Sequence, residues 1–126
     1  MFNPPPKQAL DQVPRLYANQ NAETAADIII HMHFFCGGCD WFVAEHKEHE
    51  GEQYFFGFVN LGDPINAEWG QFTLSQLSVI IPGAGDPVID AETEELIGRM
   101  PVFVEWDENW QPKPFKEIKG PWQRYR

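Results

Sequence analysis

The sequence predicts an α+β domain: an antiparallel sheet of about five strands with one or two short helices on one side. Three observations point there. Runs of β-branched and aromatic residues of strand length recur between turn-forming residues. Helix-start signals stand at Thr73 and Asp90. And 126 residues, 43% hydrophobic with 10 Phe and 5 Trp, suffice for one domain with a core of its own but not for two ordinary domains.

The elements follow in chain order. Residues 1–22, rich in Pro, Asn and Gln, read as an irregular lead-in. Ile28 to Phe35 is a strand-length run ending at Cys36-Gly37-Gly38-Cys39, where Gly-Gly suits a two-residue hairpin turn. Trp41 to His46 is the returning strand, Gln53 to Val59 a third and Ala67 to Phe72 a fourth. Thr73-Leu74-Ser75-Gln76 forms a capping box: the Thr hydroxyl accepts from an orphan amide while Gln reaches back, opening a helix to about Ile80 that stops before Pro82-Gly83. Asp90 is placed to cap a second short helix, with Glu92, Glu94 and Glu95 near its positive end and Gly98 closing it. Pro101 to Trp106 reads as the fifth strand. Residues 109–126 form a tail of Pro, Lys and aromatic residues.

Charge narrows the function classes. The net charge is −10, and it is unevenly spread. Residues 40–68 carry seven acids against Lys47, a balance of −6, and residues 86–108 carry eight against Arg99, a balance of −7. The last 18 residues reverse sign to +4. Most of this surface repels phosphate, which disfavours direct nucleic-acid binding and suits a partner protein with a basic surface. No apolar run is long enough for a membrane helix, the longest being interrupted by His31 and His33. The N-terminus lacks the charged-then-apolar profile of a secretory signal, and two cysteines make no disulfide framework. The expectation is a cytoplasmic protein.

Several segments together resemble the domain-of-unknown-function family 2958. They are Trp41-Phe42-Val43-Ala44-Glu45, Phe55-Phe56-Gly57-Phe58 and Ala67-Glu68-Trp69-Gly70-Gln71-Phe72-Thr73-Leu74-Ser75-Gln76-Leu77, flanked by Leu16-Tyr17-Ala18 and Gln111-Pro112-Lys113-Pro114-Phe115. The ordered set spans roughly residues 14 to 118. The family-like positions are Trp41, Glu45, Phe56, Gly57, Glu68, Gly70 and Phe72. The resemblance implies a small protein of bacterial phages, plasmids and integrative elements, of a kind often encoded near antirestriction genes, and it brings no agreed activity. The chain departs from the family pattern in an acidic insertion at about Gly83 to Arg99, and in the His and Cys residues of its first hairpin.

Four constellations bear on chemistry. With Gly37-Gly38 as the turn, hairpin partners have numbers that sum to 75, which sets His33 opposite Phe42 and His31 opposite Ala44. Strict alternation then puts His31, His33 and His46 on one face, a three-imidazole arrangement that suits zinc with an open fourth position. Cys36-x-x-Cys39 looks like half a zinc knuckle but points to the other face. The plain alternative is solvated histidines and a reduced thiol pair. Glu45 falls among apolar neighbours and, with Glu68, is either a general acid–base pair or a holder of loop amides. Asp86, Asp90, Glu92, Glu94, Glu95, Glu105, Asp107 and Glu108 form an acidic set that either solvates the protein or imitates duplex phosphates toward a basic groove. Trp106, Trp110, Phe115, Trp122 and Tyr125 either make a surface for a partner or a homodimer, or fold back on the sheet.

The leading expectation is a non-enzymatic acidic accessory protein of a mobile element. It would bind a host or defence protein, in the manner of an anti-restriction or anti-CRISPR inhibitor, by DNA mimicry. The alternative is a zinc-binding protein or metal-dependent hydrolase using the three histidines.

Overall fold

The predicted strand runs become the central strands of an antiparallel sheet. The computed structural model describes residues 1, 3–20, 22, 24–78, 86–100 and 102–122, and residues 80–81 in backbone only. Strands β2 (Met32–Cys36), β3 (Cys39–His49), β4 (Glu52–Asn60) and β5 (Glu68–Thr73) form a meander. The fifth strand, β10 (Glu105–Trp106), adds on the far side of β2, giving the order β10-β2-β3-β4-β5. Two short α-helices, α1 (Lys7–Leu10) and α2 (Leu74–Leu77), complete the α+β architecture.

The hairpin register matches the sum of 75: Met32 pairs Val43, His33 pairs Phe42 and Cys36 pairs Cys39, with Gly37 supplying the positive φ of the turn. The Thr73 box is present in both directions, the Thr73 side chain accepting from the Gln76 amide and the Gln76 side chain from the Thr73 amide. The helix it opens lasts one turn, to Leu77, and residues 80–81 are extended as β6 (Ile80–Ile81) against β9 (Val102–Phe103).

Alternation fails at two places, each by one residue. The Ile28–Phe35 run breaks at His31, so β1 (Ile29–Ile30) leaves β2 and pairs with β11 (Lys113–Pro114). On β3 a bulge inserts Ala44, so that Val43 pairs Gly57 while Glu45 pairs Phe56. A one-residue insertion sends every later side chain to the other face.

Both faces of the sheet are covered. On the first, Met32, Phe34, Val43, Phe55 and Phe72 pack with Leu10 and Val13 of the lead-in, Leu77 of α2 and Val104. On the second, Ile30, Phe42, Ala44, Phe58 and Ala67 pack with Phe115, Ile118 and Trp122. The tail therefore folds back, which settles that alternative for Trp110, Phe115 and Trp122, while Tyr125 lies outside the described residues. The lead-in is less irregular than expected: Leu10 and Val13 are buried, and Pro14 accepts from the His46 amide beside the Arg15–His46 bridge.

The second predicted helix is absent. Residues 86–100 instead form a hairpin of β7 (Pro87–Ile89) and β8 (Leu96–Arg99). The Asp90 carboxylate accepts from the amides of Glu92 and Thr93, as a cap would, but the Asp90 amide donates to the Glu95 carbonyl and Glu94 turns to φ +60, so the chain reverses. The predicted stop at Pro82-Gly83, the start of the fifth strand at Pro101, and Arg124 and Arg126 of the tail lie outside the described residues.

Candidate functional site

The bulge decides the fate of the histidines. His46 pairs Phe55 and packs against its ring on the first face, where its Nε2–H donates to Gln53 Oε1. His33 lies on the second face, stacked on Phe42 at 4.7 Å and tilted against Trp110 at 5.1 Å. Both of its ring nitrogens are engaged, Nε2 with Asp40 at 2.9 Å and Nδ1 with Asp107 at 3.0 Å. His31 is the break residue. It is half-buried beside Met32, Trp106 and Trp110, and burial lowers its pKa below the ordinary histidine value.

The three-imidazole zinc site is therefore corrected: His33 and His46 point to opposite faces. Among the described residues no group of three His, Cys, Asp or Glu side chains is placed to hold a metal ion. Cys36 and Cys39 are free thiols on the first face, away from His33. Burial, with Glu105 near Cys36 and with Cys36 and Asp40 near Cys39, raises both thiols above their ordinary value. Protonated thiols are poor metal ligands and poor nucleophiles.

Glu45 moves to the second face for the same reason. It is 4% exposed, and its carboxylate accepts from the lead-in: the Tyr17 amide at 2.6 Å, and the Asn19 amide and side chain at 3.0 Å each. Of its two sequence readings, the geometry is that of an amide-holding carboxylate. Glu68 is exposed on β5 opposite Val59 and lines a different hollow, so the two do not form an acid–base pair.

The remaining family-like positions are spread over both faces of the sheet. Trp41 and Phe72 are buried in the first core, and Phe56 stacks near Trp69 at 5.9 Å. Gly57 faces the bulge so closely that a Cβ there would lie 1.7 Å from the Phe42 carbonyl oxygen, whereas one on Gly70 would meet nothing within 4 Å.

The acidic set divides in two. Asp86, Asp90, Glu92, Glu94 and Glu95 all belong to the β7–β8 hairpin segment, whose side chains join neither core. Exposed Ile89, Leu96, Ile97 and Met100 stand among them, Ile97 being 66% exposed. Glu105, Asp107 and Glu108 lie at the β10 edge. Asp107 is committed to His33, and Glu108 lies 3.5 Å from the Asn3 side-chain amide. The exposed aliphatic residues carried no periodic signal in the sequence, because they become neighbours only when the segment reverses.

No helix among the described residues is long and apolar enough to cross a membrane. Compared with family models, curated proteins and solved structures, the chain finds no match in any of the three.

Proposed function

We propose that this chain is a small non-enzymatic accessory protein of a phage or mobile element, and that it docks its acidic hairpin on the basic surface of a bacterial host or defence protein. The origin rests on the ordered resemblance to family 2958. The docking rests on one observation: residues 86–100 carry five carboxylates, of which Asp90 accepts from the amides of its own turn, and four exposed apolar side chains, on a two-stranded hairpin that joins neither core among the described residues. A fold does not spend such residues on its own packing, and apolar side chains rimmed by charge are the composition of a recognition surface. The partner chemistry that fits is a basic groove with an apolar floor. A groove built for duplex phosphates meets the first requirement, and inhibition by occupying it is the anti-defence form of this reading. The interleaved Ile89, Leu96 and Ile97 add contacts that phosphates lack.

The test is capture of partners from nuclease-treated bacterial lysate, followed by affinity measurement on the purified partner. With Glu94→Lys and Glu95→Lys combined, affinity falls about tenfold or more at low salt, and the difference shrinks as salt rises. Affinity indifferent to both charge reversal and salt removes the electrostatic docking.

A further inference from the structure

A cleft of about 420 Å³ separates the lead-in from the second face of the sheet. Tyr17, Asn19 and Gln20 line it from the lead-in, and Phe56, Trp69 and Gln71 from β4 and β5. Glu45 is the buried residue among those that line it.

The hydrogen bonds of Glu45 leave a specific gap. A carboxylate offers about four acceptor positions. Oε1 takes one donor, Tyr17 N–H, and Oε2 takes two, both from Asn19. Among the described residues, none takes the second position on Oε1. All three donors are neutral, and among the described residues no Lys, Arg or His forms an ion pair with Glu45. An ammonium at that position supplies a charge-assisted partner that the neutral donors do not.

We infer that this cleft binds an alkylammonium group, from a lysine side chain of a protein or from a free aliphatic amine. Its head meets the open position of Oε1, and its stem lies along Trp69 and Phe56. One open position suits an ammonium, which needs single acceptors, over a guanidinium, which seeks two parallel ones. The side-chain amides of Asn19, Gln20 and Gln71 offer oxygens to the remaining N–H groups. Aromatic neighbours favour a cation, and the net charge of −10 raises its local concentration. The site does not depend on the hairpin, so either can fail alone.

The test is an NMR titration of the full chain, following the Asn19 side-chain amide and the Trp69 indole. The ligands are Nα-acetyl-lysine methylamide, n-pentylamine, Nα-acetyl-arginine methylamide and 1-pentanol. The two amines give saturable shifts at both probes, the arginine derivative binds about tenfold more weakly, and 1-pentanol does not saturate. The lysine derivative binding tighter than pentylamine identifies a protein side chain as the source, and the reverse identifies a free amine. Gln71→Lys, at an exposed position, keeps the dispersed spectrum but abolishes the response by tethering an ammonium in the cleft. No saturation by either amine in the millimolar range, an equal response to 1-pentanol or to arginine, or an unchanged response in Gln71→Lys overturns the assignment.

Discussion

Glu45 ties the lead-in to β3 through its side chain, beside the single Arg15–His46 bridge, and its three donors include two backbone amides of the lead-in. Glu45→Ala strands those amides and is expected to destabilise the protein by about 2–3 kcal/mol, read as a lower urea midpoint with the slope unchanged. His31 is a second residue whose setting has a measurable sign. Burial lowers its folded-state pKa. As pH falls through the ordinary histidine value of about 6.5, the unfolded chain therefore takes up the proton first. This contribution is fully present above that value and is lost toward the lower folded one. His31→Gln is expected to flatten the stability change between neutral and mildly acidic pH, as urea midpoints of both proteins at each pH will show. The Glu45 contact was one of two readings open in the sequence, since a lone acid among apolar neighbours must find donors. What no residue disclosed was which donors, because Tyr17 and Asn19 lie 28 and 26 positions away.

Among the elements, the ones fixed by local chemistry were legible. The Gly37-Gly38 turn set the register of β2 against β3, and the Thr73–Gln76 box set the start of α2. Errors arose wherever a single inserted residue or a reversal had no local signature. Ala44 is unremarkable in a strand, yet as the extra residue of the bulge it moves Glu45 and His46 to opposite faces from those that alternation assigned. Asp90 caps amides in a tight turn as readily as at a helix start, so its residue type does not separate helix from hairpin over residues 90–98. Gly57 is the sequence trace of the bulge, since the closeness of the Phe42 carbonyl excludes any side chain there. Gly57→Ala is expected to destabilise by more than about 3 kcal/mol or to prevent folding, while Gly70→Ala stays within about 1 kcal/mol. Thermal unfolding of the two variants side by side separates them.

At the scale of the whole molecule, one sheet serves two cores, and strands β3 and β4 contribute to both. Neither core can be lost while those strands keep their place. Trp122→Ala, in the tail, and Phe34→Ala, on the opposite face, are therefore expected to cost similar amounts, about 3–5 kcal/mol each. Tryptophan fluorescence and circular dichroism should report one coincident transition in both variants. Two separate transitions would show the faces to be independent.

The order of the chain gives this shared sheet a history. Among the described residues, those that cover the first face, from Met1 to Trp106, are made before residues 110–122, which cover the second. A nascent chain that has completed its meander thus presents Phe42, Phe58 and Ala67 bare until the tail arrives. In that interval the half-covered sheet is open to other nascent chains and to chaperones. The arrival of residues 110–122 is then what closes the second face, and a chain interrupted before Phe115 would carry a finished hairpin register on a sheet with one adhesive side.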